Sequence, residues 1–135
     1  MTFFKTKGVS LKDTDGERST PLHWACFAGS DTAIYYLLAW GVDVNAQDNV
    51  GNTPLHLAVK SAEHFPNTRS IKELLIKGAS RTIRDTHGRT PVDMIKEVGN
   101  IRLRQELSTL LVSLLVLILF TKFRLGQRLV VLLVM

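Results

Sequence analysis

The chain has one cysteine, Cys26, and four prolines among its 135 residues. A lone thiol excludes a disulfide framework and any cysteine-rich zinc module, and the length leaves room for one small domain. No Asn-x-Ser/Thr sequon occurs, and Met1 to Gly8 carries no apolar run of the kind that opens a secretory leader. The expected setting is the cytoplasm or the cytoplasmic face of a membrane. Acidic residues stop at Glu106, whereas Lys122, Arg124 and Arg128 lie beyond it. Up to Glu106 the chain holds 14 basic and 12 acidic residues, so the net charge of +5 belongs mainly to the tail. That near balance gives no reason to expect a nucleic-acid partner. Also missing are a glycine-rich phosphate loop, a Gly-x-Ser-x-Gly elbow and a zinc-binding His-Glu motif. Carboxylates are scattered singly. No catalytic residues, metal ligands or cofactor are expected, and the chain is not read as an enzyme.

What the sequence does contain is a repeat. Thr20-Pro21-Leu22-His23, Thr53-Pro54-Leu55-His56 and Thr90-Pro91-Val92-Asp93 begin 33 and then 37 residues apart. Gly8, Gly41 and Gly78 keep the same spacing, as do Asp15, Asp48 and Asp85. Three markers in register across three copies define a repeat before any fold is considered. The four additional residues of the longer copy lie between Thr53 and Leu74. The stretch Ala62 to Ser70, with Pro66 and several turn formers, is where a lengthened inter-helix loop is expected.

Each copy predicts a helix pair. Threonine before proline starts a helix, since the hydroxyl accepts an unpaired N–H and proline at the first position loses no bond. Leu22, Ala25 and Cys26 in one copy, and Leu55, Ala58 and Val59 in the next, then recur at i, i+3, i+4. A second helix carries Ile34, Leu37 and Leu38, or Ile71, Leu74 and Leu75. Gly41 and Gly78 fit the left-handed position just past its end. The polar stretches up to the next Thr-Pro read as exposed hairpin-like loops.

This pattern resembles the ankyrin repeat, whose signature is a Thr-Pro-Leu-His-x-Ala helix start on a 33-residue period. Thr20 to Ala25 and Thr53 to Ala58 match it in full, and Gly41 to Asp48 is similar to the family's linker. The third copy departs, with Asp93 for histidine and Ile95 for alanine, as a terminal repeat packed on one side does. The resemblance implies an all-α solenoid of helix-turn-helix units with hairpin-like loops. Its repeats are expected at 15–47, 48–84 (with the lengthened loop) and 85–109, preceded by a remnant of an upstream repeat at 1–14. Phe3 and Phe4 align with Tyr36 and Leu37 inside a second helix, so a fragment or incomplete gene model is expected. More loosely, Thr20 to Cys26 and Thr53 to Lys60 with its long loop look like the ankyrin region of DHHC-type palmitoyltransferases. The chain has no Asp-His-His-Cys sequence, so that kinship implies a substrate-recruiting module and not the acyltransferase activity.

Residues 110–135 form an apolar tail. Leu110 to Phe120 is broken only by Ser113, and Leu129 to Met135 is wholly apolar. A bilayer core takes about 20 helical residues, so an apolar C-terminal helix, buried, interfacial or spanning, is expected, with membrane contact through its cations. Its first turns also complete the last repeat helix.

The family resemblance further implies that His23 and His56 are structural, bonding neighbouring loops, and that partner proteins or peptides bind a concave face of loop tips and first-helix ends. Carried onto this sequence, that face offers Glu17, Ser19, Phe27 and Ala28; then Gln47, Asn49, Val50, Asn52, Lys60 and Ser61; then Arg84, Thr86, His87, Arg89 and Glu97. Its basic character rises toward Arg84 and Arg89, which suits an acidic or polar peptide. His64 and His87 are expected in solvated loops, Cys26 in the core, and Trp24 in inter-repeat packing. Trp40 falls at a helix end.

Overall fold

The computed structural model of the chain describes residues 16–66 and 68–112. Six α-helices run through them: α1 (Pro21–Phe27), α2 (Asp31–Ala39), α3 (Pro54–Ser61), α4 (Arg69–Ile76), α5 (Pro91–Met94) and α6 (Ile101–Val112). A 3-10 turn, Ile95–Glu97, follows α5. No strand occurs among the described residues.

The three Thr-Pro copies fold alike. Thr20, Thr53 and Thr90 are extended N-caps whose hydroxyls accept the N–H of the residue three on. The side chain at that residue returns the bond: His23, His56 and Asp93 each accept the cap's own N–H, closing a capping box. Ser30 caps α2 through Ala33 N–H, whereas α4 starts without a side-chain cap at Thr68.

Helix pairs stack in two layers, α1 on α3 on α5 and α2 on α4. The core is the apolar stripe read from the sequence. Leu22, Cys26, Ile34, Leu37, Leu55, Val59, Ile71, Leu74 and Met94 are buried. Ala25 and Ala58 are buried too, small enough to let α1 and α3 approach closely. Leu103, Leu107 and Leu111 continue the stripe at i, i+4 along α6. That helix runs through the expected boundary at 109/110 to Val112, and Arg81 Nη1 donates to the Leu111 carbonyl at 3.2 Å. The first turn of the tail thus closes the last repeat. Among the described residues no helix is long and apolar enough to cross a membrane. The expected apolar tail helix from Ser113 onward, and the upstream remnant at 1–14, lie outside the described residues.

Trp24 corrects an expectation. It is 55% exposed. Leu22, Ala25 and Cys26 already fill the buried stripe of the short α1, and an indole has no place where two helices meet through alanines. Its repeat equivalents, Leu57 and Met94, are partly and fully buried.

The lengthened loop does more than absorb four residues. Three residues, Ala28 to Ser30, join α1 to α2, whereas residues 62–68 join α3 to α4. In that longer loop Phe65 lies over Gly29, where an added Cβ would meet the ring at 2.6 Å. On the other side Gly99 N–H donates to Glu63 Oε2 at 2.8 Å, and Thr68 Oγ1 donates to Glu106 Oε1 at 3.0 Å. The second repeat is thereby tied to both neighbours.

Candidate protein-binding face

The loop tips owe their shape to aspartate. Asp48 Oδ1 accepts Val50 and Asn52 N–H, each at 2.9 Å, and Asp85 Oδ1 accepts His87 and Arg89 N–H at the same distances. Gly51 (φ +77°) and Gly88 (φ +75°) complete these turns in the left-handed region. A Cβ on Gly51 would also lie 2.9 Å from Asp85 Cα, so close is the next loop. Arg18 stands at the equivalent place in the first loop, with φ +62°. An L-residue is strained there by about 1–2 kcal/mol.

Loops join in series. Asn49 N–H donates to the Glu17 carbonyl and Thr86 N–H to the Val50 carbonyl, both at 2.9 Å. The two histidines make the second link. Thr53 N–H donates to His56 Nδ1 at 3.1 Å, which leaves Nε2–H to donate to the Arg89 carbonyl at 2.9 Å. His23 repeats this with Thr20 and the Asn52 carbonyl, at 3.1 and 2.8 Å. Both histidines are buried, as the structural reading requires. Burial pushes the His56 imidazole below its ordinary pKa, against the opposing pull of the Arg89 carbonyl. Asp93 keeps the capping half of the role only. Its Oδ2 accepts the Thr90 N–H and hydroxyl, which hold its carboxyl below the usual range, but an ionised carboxylate has no proton to pass onward.

The C-terminal end of the face is a small charge network. Arg89 donates to Asp85 at 3.1 Å and to Glu97 at 3.0 Å. Burial alone would raise the Asp85 carboxyl. The Arg89 and His87 backbone N–H groups and the Arg89 guanidinium outweigh it and hold the carboxyl below its ordinary value.

Most of the residues expected to bind a partner are exposed. Glu17, Phe27, Gln47, Asn49, Val50, Lys60, Arg84, Thr86 and His87 are exposed, and Ser19 and Arg89 half-buried. Gln47 and Asn49 also serve the scaffold: Gln47 Nε2 donates to the Gly51 and Arg84 carbonyls and Asn49 Nδ2 to that of Gly16. Asn52 departs from the expectation. It is 7% exposed, drawn inward because its carbonyl receives His23 Nε2–H. Its Oδ1 is buried without a hydrogen-bond partner. Trp24 and Arg18 are exposed as well, though neither was among the expected binding residues. The 33-residue spacing from Arg18 to Gly51 was the available signal for the second.

Elsewhere, α2 exposes Tyr35 and Tyr36 beside a groove of about 420 Å³ shared with Arg69 and Glu73 of α4. His64 and His87 are exposed in loops. Cys26 is fully buried, and burial pushes its thiol far above the ordinary range, so little reactive thiolate forms. Among the described residues no group of three or more His, Cys, Asp or Glu side chains is placed to hold a metal ion.

Comparison with known proteins agrees with this geometry. The family model described as ankyrin repeats (3 copies) matches residues 2–85. An ankyrin repeat protein of Rickettsia bellii (strain RML369-C) is 40% identical over 99 residues, covering 70% of this chain and 40% of its own length. The Danio rerio protein named for a palmitoyltransferase, ZDHHC13, is 33% identical over 93 residues, covering 68% and 14% respectively. A Caenorhabditis elegans homolog of transient receptor potential cation channel subfamily A member 1 is 28% identical over 108 residues, covering 79% and 9%. The chain thus spans less than half the length of each of these relatives.

Proposed function

We propose, for a chain that belongs to the ankyrin-repeat family, that the surface formed by its loop tips and first-helix ends binds a partner protein or peptide. Ankyrin repeats are generally protein-interaction modules, and the finer assignment to this face is carried by one observation. Mixed polar and apolar side chains, from Glu17 and Arg84 on the loops to Lys60 at the end of α3, recur with the repeat on a frame whose loops are cross-linked by histidine hydrogen bonds. Ordering such loops in advance lowers the entropic cost of binding. An acidic or polar segment suits the exposed Lys60 and Arg84.

Two further parts of the reading rest on less. Membrane contact through residues 110–135, with the chain at the cytoplasmic face, rests on the apolar composition of that stretch. Service as the substrate-recruiting region of a DHHC-type acyltransferase rests on the similarity to the Danio rerio protein.

The test is selection of binders from a randomised displayed peptide library against the full chain. Peptides should lose binding when Asn49, Lys60, Arg84 and Thr86 are together replaced by alanine. They should keep it when Tyr35 on α2 and Trp40 just past its end become serine. The opposite pattern refutes the face.

A further inference from the structure

Building on that reading of the face, we propose that its first repeat is the specificity end, and that it takes a peptide segment in which a large apolar side chain is flanked by carboxylates.

The apolar part comes from Trp24 and Phe27. They are 55% and 60% exposed and meet edge-to-face with ring centroids 6.1 Å apart. The same two rows carry Leu57 and Lys60 in the second repeat, then Met94 and Glu97 in the third. Only the first repeat therefore lays two aromatic rings on the surface, one helical turn apart. Such pairs dominate the energetics of interfaces, because they bury much area at little conformational cost.

The charged part comes from Arg18 and Lys60. Arg18 holds a left-handed conformation in a turn that both later repeats build with glycine. The turn itself does not call for arginine, and the exposed side chain is what its presence adds to the loop tip. Lys60 is exposed in the Phe27 row, one repeat along. By register, one cation thus stands on the loop tip ahead of the rings and the other one repeat along from Phe27. The Asp48 carboxylate is spent on its own turn, and Glu63, three residues from Lys60, accepts the Gly99 N–H. The complement of this arrangement is an apolar anchor between acids. Packed helices lie about 8–10 Å apart and an extended strand advances about 3.3 Å per residue. The carboxylate meeting Lys60 should therefore stand about three residues from the anchor.

Peptides selected from the displayed library against the full chain test this directly. Enrichment of Asp or Glu about three residues from Phe, Leu or Trp is expected. In a Trp40→Phe background, Trp24 emission should shift to shorter wavelength as such a peptide binds. Phe27→Ser, an exposed replacement, should weaken binding at least tenfold or so. Arg18→Gly should weaken it severalfold while raising the thermal midpoint, a combination that mere loss of structure does not produce. Peptides that depend on Asn49, Arg84 and Thr86 but ignore Phe27 and Arg18 overturn this proposal and leave the concave-face reading standing. Selected peptides that bind only the Tyr35 and Trp40 side overturn both.

Discussion

The buried histidine link invites a substitution that separates its two halves. In His56→Asn the amide Oδ1 can replace Nδ1 as acceptor for Thr53 N–H, as Asp93 Oδ2 does for Thr90 N–H at 3.0 Å. What is lost is the reach of Nε2–H to the Arg89 carbonyl, a bond of 2.9 Å. One hydrogen bond contributes about 1 kcal/mol, a carbonyl left short of its donor costs about 1 more, and two missing ring atoms leave a small void. The sum is about 2–3 kcal/mol, to be read from urea unfolding followed by far-ultraviolet circular dichroism at about pH 7.5. The pH dependence supplies a second reading. A folded-state pKa below the free value of about 6.5 means that folding favours the neutral ring. Its contribution is therefore complete above that value and is lost as pH falls through the folded one. His56→Asn should accordingly flatten the loss of stability as pH falls below the free imidazole value. Exposed His64→Asn serves as the control and should change stability by less than about 0.5 kcal/mol. If His56→Asn is as mild as that control, or keeps the full acid-side slope, the inter-repeat role assigned to the imidazole is wrong.

Other measurements probe the turns and the core. Asp85→Ala should destabilise by about 2 kcal/mol and more than Asp48→Ala, because Asp85 also holds Arg89. With its pKa depressed, the Asp85 contribution is present above about pH 4 and vanishes as pH falls through the folded value, so acid titration of Asp85→Asn should lack that loss. Gly51→Ala should cost more than about 1 kcal/mol, since its Cβ meets the Asp85 backbone and its φ is left-handed. Cys26 should react with a disulfide reagent at a rate limited by unfolding, and urea should accelerate it; fast labelling of the native chain would contradict its burial.

The features legible beforehand were those written locally. A Thr-Pro start, its box partner three residues on and an aspartate-shaped turn are each made within a few residues, so spacing alone revealed the repeat and its helix starts. The extra four residues were locatable for the same reason, since the apolar stripes on either side kept their period. What Trp24 does was set elsewhere. Its row neighbours are apolar, yet Ala25 and Ala58 bring the helices so close that the indole must turn outward. Asn52 was placed on the binding face by its position in the loop, whereas a histidine 29 residues earlier decides its burial. Glu63 with Gly99, 36 residues apart, and Thr68 with Glu106, 38 apart, leave no periodic trace.

The loop that joins α3 to α4 has a consequence for the excision of a repeat. In an ordinary solenoid each unit contacts only its neighbours, so a whole unit can be excised and the flanking ends rejoined in kind. Here Phe65 leans backward onto Gly29 while Glu63 and Thr68 grip forward at Gly99 and Glu106. Excising residues 48–84 would splice two repeats in correct phase and still remove the strap that each of them was shaped to receive. Removing the middle unit would therefore cost the two that remain more than one shared helix interface.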